Sequence, residues 1–128
     1  MILLIKTDQP QSYVALYEGA VIQDLSWDAD RLLSDELLKK IETLLQHENS
    51  TWGDLSGIVV YRGPGSFTGL RIGITVANTL SHSERIPLSG TSGSNWIEEG
   101  VQALDNSEAP GTVIPVYGGV ANITKPRK

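Results

Sequence analysis

Residues 61–73, YRGPGSFTGLRIG, decide the fold of this chain. A short apolar run, GIVVY at residues 57–61, precedes the glycines, and an amphipathic helical pattern follows from about Phe67. A strand, a glycine-rich turn and a helix in this order are typical of a βα unit. Its turn points backbone N–H groups at whatever lies above it. Gly63 and Gly65 allow the positive φ angles or close backbone approaches that such a turn requires.

Two interpretations of this turn remain open. It can serve geometry alone, with the Ser66 hydroxyl as a cap for the first helical turn. It can also bind phosphate through the backbone, as a nucleotide loop. The turn lacks the GK[ST] ending of a P-loop and the GxGxxG spacing of a dinucleotide-binding turn, and this favours the geometric interpretation. The residues of the possible phosphate loop are Arg62, Gly63, Gly65, Ser66 and Thr68.

The helix after the turn carries an unusually wide apolar arc. At about 100° per residue, Gly69, Gly73 and Ala77 fall at the centre of the arc, and Leu70 flanks them. Each interior glycine costs roughly 1 kcal/mol against alanine, so close packing at the glycines is the expected compensation. The small residues could receive a second helix from another molecule or a neighbouring element of the same chain.

Hydrophobic periodicity predicts the order βββ-α-β-α-β-α-β. The first three strands, at residues 2–5, 12–17 and 20–27, form an antiparallel meander. A helix over residues 34–47 follows, with Ser34 as its N-cap and an apolar stripe that includes Leu37, Ile41 and Leu44.

The remaining elements complete an α/β fold. They are a strand at 57–61, the helix from about residue 67, a strand at 87–89, a helix starting at Ser92 or Ser94, and a strand at 112–117. The order predicts a ribonuclease-H-like or actin-like lobe, with a mixed sheet and helices packed on it. A flavodoxin-like fold is the alternative.

Size and composition exclude several classes of protein. A chain of 128 residues predicts one lobe over residues 1–110, followed at 111–128 by a last strand and an irregular basic tail, with no second lobe. The net charge of −5 argues against nonspecific nucleic-acid binding. No cysteine is present, and His47 and His82 lie outside any zinc-binding spacing, so we expect no metal site and no catalytic residue. No stretch is long enough to span a membrane, which predicts a cytoplasmic protein.

Three stretches resemble one known family. RGPGSFTGLRIG at 62–73 is similar to the glycine motif of the TsaB (YeaZ) proteins of bacterial tRNA threonylcarbamoyladenosine (t6A) synthesis. ELLKKIETLL at 36–45 resembles that family's first helix, and SYVALYEG at 12–19 its second strand. The resemblance extends over roughly residues 1–92.

The resemblance implies a non-catalytic partner protein with an actin-like fold. TsaB-type proteins pair with their paralogue TsaD through two helices of the first lobe, and so support TsaD and its ATPase partner TsaE. By this resemblance the partner interface consists of Leu37, Ile41, Leu44, Gly69, Leu70, Gly73 and Ala77. No cofactor is expected, except ADP or ATP at a partner interface, and tRNA would be contacted only indirectly.

The chain departs from the family after the first strand. Lys6-Thr7-Asp8 stands where such proteins often have an Asp-Thr-Ser type of turn, and a lysine cannot be a ligand of Mg²⁺. This departure and the absence of a second lobe argue against independent ATP hydrolysis. Two further hypotheses remain: a nucleotide-binding module built on the glycine turn, and a homodimer formed by the same helix stripe.

Overall fold

The computed structural model describes residues 1–29 and 33–116. Five strands form one mixed sheet with the order β3-β2-β1-β4-β5. The strands are β1 (Ile2–Lys6), β2 (Gln11–Tyr17), β3 (Val21–Asp28), β4 (Gly57–Tyr61) and β5 (Leu88–Thr91). The helices are α1 (Leu33–His47), α2 (Phe67–Glu84) and α3 (Trp96–Leu104), and a single 3-10 turn occupies Trp52–Asp54.

Strand β1 lies at the centre of the sheet. It pairs antiparallel with β2, where Leu4 lies opposite Ala15, and parallel with β4, where Leu4 lies opposite Val59. Side chains alternate between the two faces of a strand, so a central strand covered on both faces is apolar throughout. Leu3 and Ile5 enter one core, and Leu4 enters the other.

The helices cover the two faces of the sheet unequally. Helices α1 and α2 pack on one face, and their apolar stripes join Leu3, Ile5 and Val60 in the larger core. Helix α3 packs on the opposite face against β4 and β5, with Trp96 and Leu104 in the smaller core. The sequence therefore predicted the meander, the three helices and the mixed sheet correctly.

Three predicted boundaries are corrected by the structure. Helix α1 begins at Leu33, so Ser34 lies in its first turn and is not the N-cap. Helix α3 begins at Trp96 after Asn95, later than Ser92 or Ser94. Strand β5 spans Leu88–Thr91 in place of residues 87–89.

The predicted last strand is not formed by residues 112–116, and the rest of the prediction, Tyr117 and the tail to residue 128, lies outside the described residues. The side chain of Asn78 takes the place of a neighbouring strand: its Nδ2 donates to the Val113 carbonyl oxygen at 3.1 Å, and its Oδ1 accepts from the Val113 N–H at 2.8 Å. The side-chain amide of Asn78 thus forms the hydrogen bonds that the N–H and C=O groups of Val113 would otherwise form with a neighbouring strand.

Candidate docking surface and glycine loop

The glycine loop lies where parallel β1 and β4 end side by side. The chain turns from β1 towards β2 and from β4 towards β5, so the loops at Lys6–Asp8 and Arg62–Ser66 diverge from one point of the sheet edge. In open α/β sheets such a switch point is the usual place for a ligand crevice.

The glycines of this loop make room for the chain's own backbone. Gly63 has a φ of +117°, and a Cβ at this position would overlap the Val116 carbonyl oxygen. A Cβ on Gly65 would overlap Asp8, and the Ser66 N–H donates to the Asp8 carbonyl oxygen at 2.8 Å. The Ser66 side chain makes no capping hydrogen bond within the described part of the chain. The structure therefore supports the geometric interpretation of these glycines.

The other two residues of the predicted phosphate loop lie apart from one another. Arg62 pairs through its backbone on both sides: its N–H donates to the Thr91 carbonyl oxygen at 2.8 Å, and its own carbonyl accepts from the Val116 N–H at 2.7 Å. Its Nε is buried and has no hydrogen-bond partner among residues 1–29 and 33–116. Thr68 is exposed on α2. Ser66 and Thr68 line one depression of about 380 Å³, whose lining does not include Arg62, Gly63 or Gly65.

Lys6 neutralises the acid that follows β1. Its Nζ lies 2.6 Å from Asp8 Oδ1, and Asp8 is only 7% exposed. The same ammonium lies 4.6 Å from the centre of the Tyr61 ring, in a cation–π contact. Within the described residues no group of three or more His, Asp or Glu side chains could hold a metal ion. At this edge of the sheet the lysine supplies the positive charge.

The glycine stripe of α2 is filled by a residue of the same chain. A Cβ on Gly73 would overlap the side chain of Thr7, and a Cβ on Gly69 would overlap the Thr7 carbonyl oxygen. The Thr7 Oγ1 also donates to the Gly69 carbonyl oxygen at 2.7 Å. These glycines therefore let α2 lie close to the end of β1.

The other residues of the implied interface are also inside the monomer. Five of them are almost fully buried, at 0% to 1% exposed: Leu37, Ile41, Leu44, Leu70 and Ala77. Their stripes face the sheet because the same apolar arcs that could bind a partner are needed to cover β1 and β4. The implied interface stays a prediction, and the side chains that α1 and α2 present to solvent are neighbours of these buried residues.

An exposed groove runs beside α2 and past the start of α1. One part, with a volume of about 310 Å³, is lined by Ser34, Phe67, Thr68, Arg71, Ile72, Thr75 and Val76. A second part, of about 380 Å³, shares Thr68 and Ile72 with the first and extends to Pro10 and Ala29. Phe67 is 55% exposed at the start of α2, and the Arg71 guanidinium lies 5.5 Å from its ring centre. The groove thus combines an apolar floor with one cation.

Residues 111–116, which we call the strap, form a further part of this surface. Besides the two bonds to Asn78, the Gly111 N–H donates to Ser81 Oγ at 2.8 Å, and Thr112 Oγ1 lies 3.1 Å from His82 Nε2. The sequence analysis predicted a strand at 112–117 and no contact with α2. The polar side chains at 78, 81 and 82 were the available signal for that contact.

On the opposite face of the sheet, Tyr13 has a perturbed hydroxyl. Burial raises the pKa of Tyr13 from 10.0 to about 12, with smaller contributions from the charge of Asp24 and the hydrogen bond to it. The Tyr13 hydroxyl donates to Asp24 Oδ2 at 3.3 Å. Tyr13 lies opposite Lys6 in the pairing of β1 with β2, and its bond to Asp24 links β2 with β3.

Comparison with known proteins gives a consistent result. The sequence model of the TsaD family, described as tRNA N6-adenosine threonylcarbamoyltransferase, matches residues 26–125. The "tRNA threonylcarbamoyladenosine biosynthesis protein TsaB" of Buchnera aphidicola is 37% identical over 92 residues, which are 72% of this chain and 44% of the relative. The TsaB protein of Bacillus subtilis is 34% identical over 117 residues, 91% of this chain and 49% of the relative.

A solved structure agrees with these relatives. YeaZ from Pseudomonas aeruginosa superposes with a TM-score of 0.65 and 30% sequence identity, over 71% of this chain and 43% of that protein. The chain thus spans less than half the length of each relative compared.

The fold is that of one lobe of the actin-like, ribonuclease-H-like class. Within that class the chain belongs to the TsaD family, and it is similar to the TsaB and YeaZ proteins of that family. No helix within residues 1–29 and 33–116 has the length and hydropathy that a membrane crossing requires.

Proposed function

We propose that this chain is a non-catalytic partner subunit of the t6A machinery, acting in the cytoplasm and docking a TsaD-type protein. One observation carries the proposal: the exposed groove beside α2, with Phe67, Ile72 and Val76 on its apolar side. Concave, mostly apolar surfaces with an aromatic anchor are typical of protein interfaces.

The choice of partner rests on shared descent and on charge. The TsaD family model covers α1 and α2 of this chain, so a TsaD-type protein has an equivalent pair of helices. Two equivalent surfaces can pair about an approximate two-fold axis if each carries both charges. Here the first turn of α1 carries Asp35 and Glu36, and α2 carries Arg71 in the adjoining groove. Arg71 of one subunit can then face the acids of the other.

A supporting role without catalysis agrees with the contacts of the glycine loop, which packs against the chain's own residues. Lys6 neutralises Asp8, and Gly63 and Gly65 pack against backbone atoms of the same chain. ADP or ATP would therefore bind only where the partner supplies most of the contacts. Contact with a TsaE-type ATPase or with tRNA would occur through the TsaD-type subunit.

Self-association is the second candidate. The same distribution of Asp35, Glu36 and Arg71 would let two copies of this chain pair about a true two-fold axis. In that case the homodimer and the heterodimer would use one surface and compete for it.

The test is a binding measurement with a TsaD transferase from the same source organism. Light scattering and calorimetric titration should give a one-to-one complex, and Val76→Asp in the groove should weaken it at least tenfold. Ile22→Asp is the control for the added charge, because Ile22 is exposed on strand β3. Val76 also packs against the larger core, so circular dichroism must establish that both variants are folded. Absence of a complex with the unmodified chain would overturn the proposal.

A further inference from the structure

The end of β1 is the place where, by the family resemblance, actin-like ATPases carry an acid that serves their magnesium–nucleotide centre. This chain has Lys6 there, followed by Thr7 and Asp8. Mg²⁺ requires oxygen ligands in an octahedral arrangement, and a protein supplies them mainly from carboxylates. The contacts of the oxygen atoms at the end of β1 therefore test whether these residues fit a magnesium ion.

These oxygen atoms are already bonded within the chain. Asp8 Oδ1 accepts from Lys6 Nζ at 2.6 Å, and the Asp8 carbonyl oxygen accepts from the Ser66 N–H at 2.8 Å. The Thr7 Oγ1 donates to the Gly69 carbonyl oxygen at 2.7 Å. Thr7 and Asp8 are 1% and 7% exposed, so little of either residue is open to an ion from solvent. A metal ion could reach Asp8 Oδ1 only by displacing the ammonium.

The Lys6 ammonium also sets the charge at this edge of the sheet. It neutralises the carboxylate of Asp8, and it lies 4.6 Å from the centre of the Tyr61 ring at the end of β4. An ammonium has no lone pair to offer a metal ion, and it repels a divalent cation placed a few ångströms away. The histidine and acidic side chains of residues 1–29 and 33–116 form no other group of three or more that could hold the ion.

We infer that the Lys6 ammonium takes the place of the divalent cation of the actin-like ATPases, as a counter-ion built into the chain. The residues at the end of β1 do not fit Mg²⁺, and a side chain supplies the positive charge that such an ion would bring. The chain alone therefore binds neither Mg²⁺ nor a magnesium nucleotide at this point, and its carboxylate is neutralised without a metal. This inference concerns the chain by itself and does not depend on the partner that it docks.

The experiment places a carboxylate at position 6. Thermal unfolding of the unmodified chain, Lys6→Asp, Lys6→Asn and Lys6→Arg is measured with and without Mn²⁺, which takes the same oxygen ligands as Mg²⁺. Residues 6 and 8 lie on one face of the strand end, so two carboxylates would be neighbours in Lys6→Asp. We expect Mn²⁺ to raise the Tm of Lys6→Asp by several degrees, because an ion that binds only the folded chain stabilises it. Lys6→Asn has the same shape without the second charge and should gain less. Lys6→Arg keeps a cation and should not respond, like the unmodified chain.

The opposite results would overturn the inference. Circular dichroism establishes which variants are folded, and a folded Lys6→Asp chain that gains no more from Mn²⁺ than Lys6→Arg shows that the lysine is not what excludes the metal. If Lys6→Asp does not fold, Lys6→Asn decides: stabilisation by Mn²⁺ beyond that of the unmodified chain supports the inference, and its absence contradicts it. Calorimetric titration of the unmodified chain with Mg²⁺ and ATP should give no heat of binding, and heat that Asp8→Asn abolishes would also overturn the inference. No partner protein is present in these measurements, so their failure leaves the proposed docking function untouched.

Discussion

The side chain of Thr7 fills the space that Gly73 leaves on helix α2. Thr7 is 1% exposed, and its Oγ1 is also hydrogen-bonded to the Gly69 carbonyl oxygen at 2.7 Å. A single residue at the end of β1 thus fixes the first half of α2 against the sheet. The contact of Thr7 with Gly69 and Gly73 therefore also fixes the position of the exposed side of α2, which forms the groove.

Gly73→Ala should destabilise the chain although alanine is the better helix former. The added Cβ overlaps Thr7, and overpacking of this kind costs about 1–3 kcal/mol, more than the roughly 1 kcal/mol gained in helix propensity. Urea unfolding should show a loss of stability. In a Thr7→Ala background the same substitution should cost less, because the obstructing atoms are gone. Gly53→Ala is the control, since its Cβ would lie 3.8 Å from Thr51 Oγ1. Equal costs in both backgrounds would contradict the Thr7–Gly73 contact.

Asn78→Ala should release the strap. The substitution leaves the N–H and carbonyl of Val113 without their partners, at a cost of about 1–3 kcal/mol. Hydrogen exchange at Val113 should become faster, while that of β1 stays slow. Thr79→Ala, at the exposed neighbouring position, should leave the exchange of the strap unchanged. Unaltered protection of Val113 in the Asn78 variant would show that the core contacts alone hold the strap.

Lys6→Met should destabilise the chain by leaving the carboxylate of Asp8 without its counter-ion. Asp8 is 7% exposed and Lys6 is 26% exposed, so the expected cost is about 1–3 kcal/mol, below that of a fully buried pair. The double variant Lys6→Met with Asp8→Asn should regain part of the loss, since no charge then remains unpaired. Thermal unfolding of both variants measures the difference. Additive losses would show that the two charges do not interact.

The pKa of Tyr13 should fall towards its ordinary value when Asp24 is neutralised. Burial is the largest cause of the rise to about 12, so Asp24→Asn should lower the pKa but leave it above 10.0. Ultraviolet difference titration, with Tyr13→Phe as the reference for the other tyrosines, measures it. A pKa that is unchanged in Asp24→Asn would exclude the contribution of the carboxylate.

The same shift gives stability a defined dependence on pH. Between pH 10 and 12 the unfolded tyrosine loses its proton while the folded one keeps it, so the unfolded state binds fewer protons and stability falls as pH rises. This part of the decline should be absent in Tyr13→Phe. Urea unfolding of both chains at several pH values in this interval makes the comparison.

The sequence predicted those parts of the fold that hydrophobic periodicity encodes. The apolar run of β1 and the stripes of α1 and α2 identify buried faces, and the glycines of α2 predict close packing. Periodicity does not identify the residue that fills a gap, so Thr7 could not be predicted as the neighbour of Gly73. The family resemblance, and not periodicity, assigns stripe residues such as Leu37 to a partner interface, and in the monomer Leu37 is buried.

The strap was mispredicted for a different physical reason. Residues 112–116 are rich in β-branched side chains, which favour an extended backbone. An extended backbone needs hydrogen-bond partners, but the sequence does not say whether a neighbouring strand or a side chain provides them. Asn78 supplies them from a position 35 residues away in the chain. The exposure of Ile114 and the shape of the groove likewise depend on how the strap packs against α2. This packing cannot be derived from a single sequence.

The bonds from Ser81 and Asn78 to the strap have a mechanical consequence. Ser81 Oγ accepts from Gly111, and it donates to the Ile86 carbonyl oxygen at 2.6 Å where the chain leaves α2. Tension applied to the chain at Val116 would therefore be transmitted to the long helix through the side chains of Asn78, Ser81 and His82, and to Arg62 through one backbone bond. A force that pulls on the strap would therefore act on α2, the helix that lines the groove.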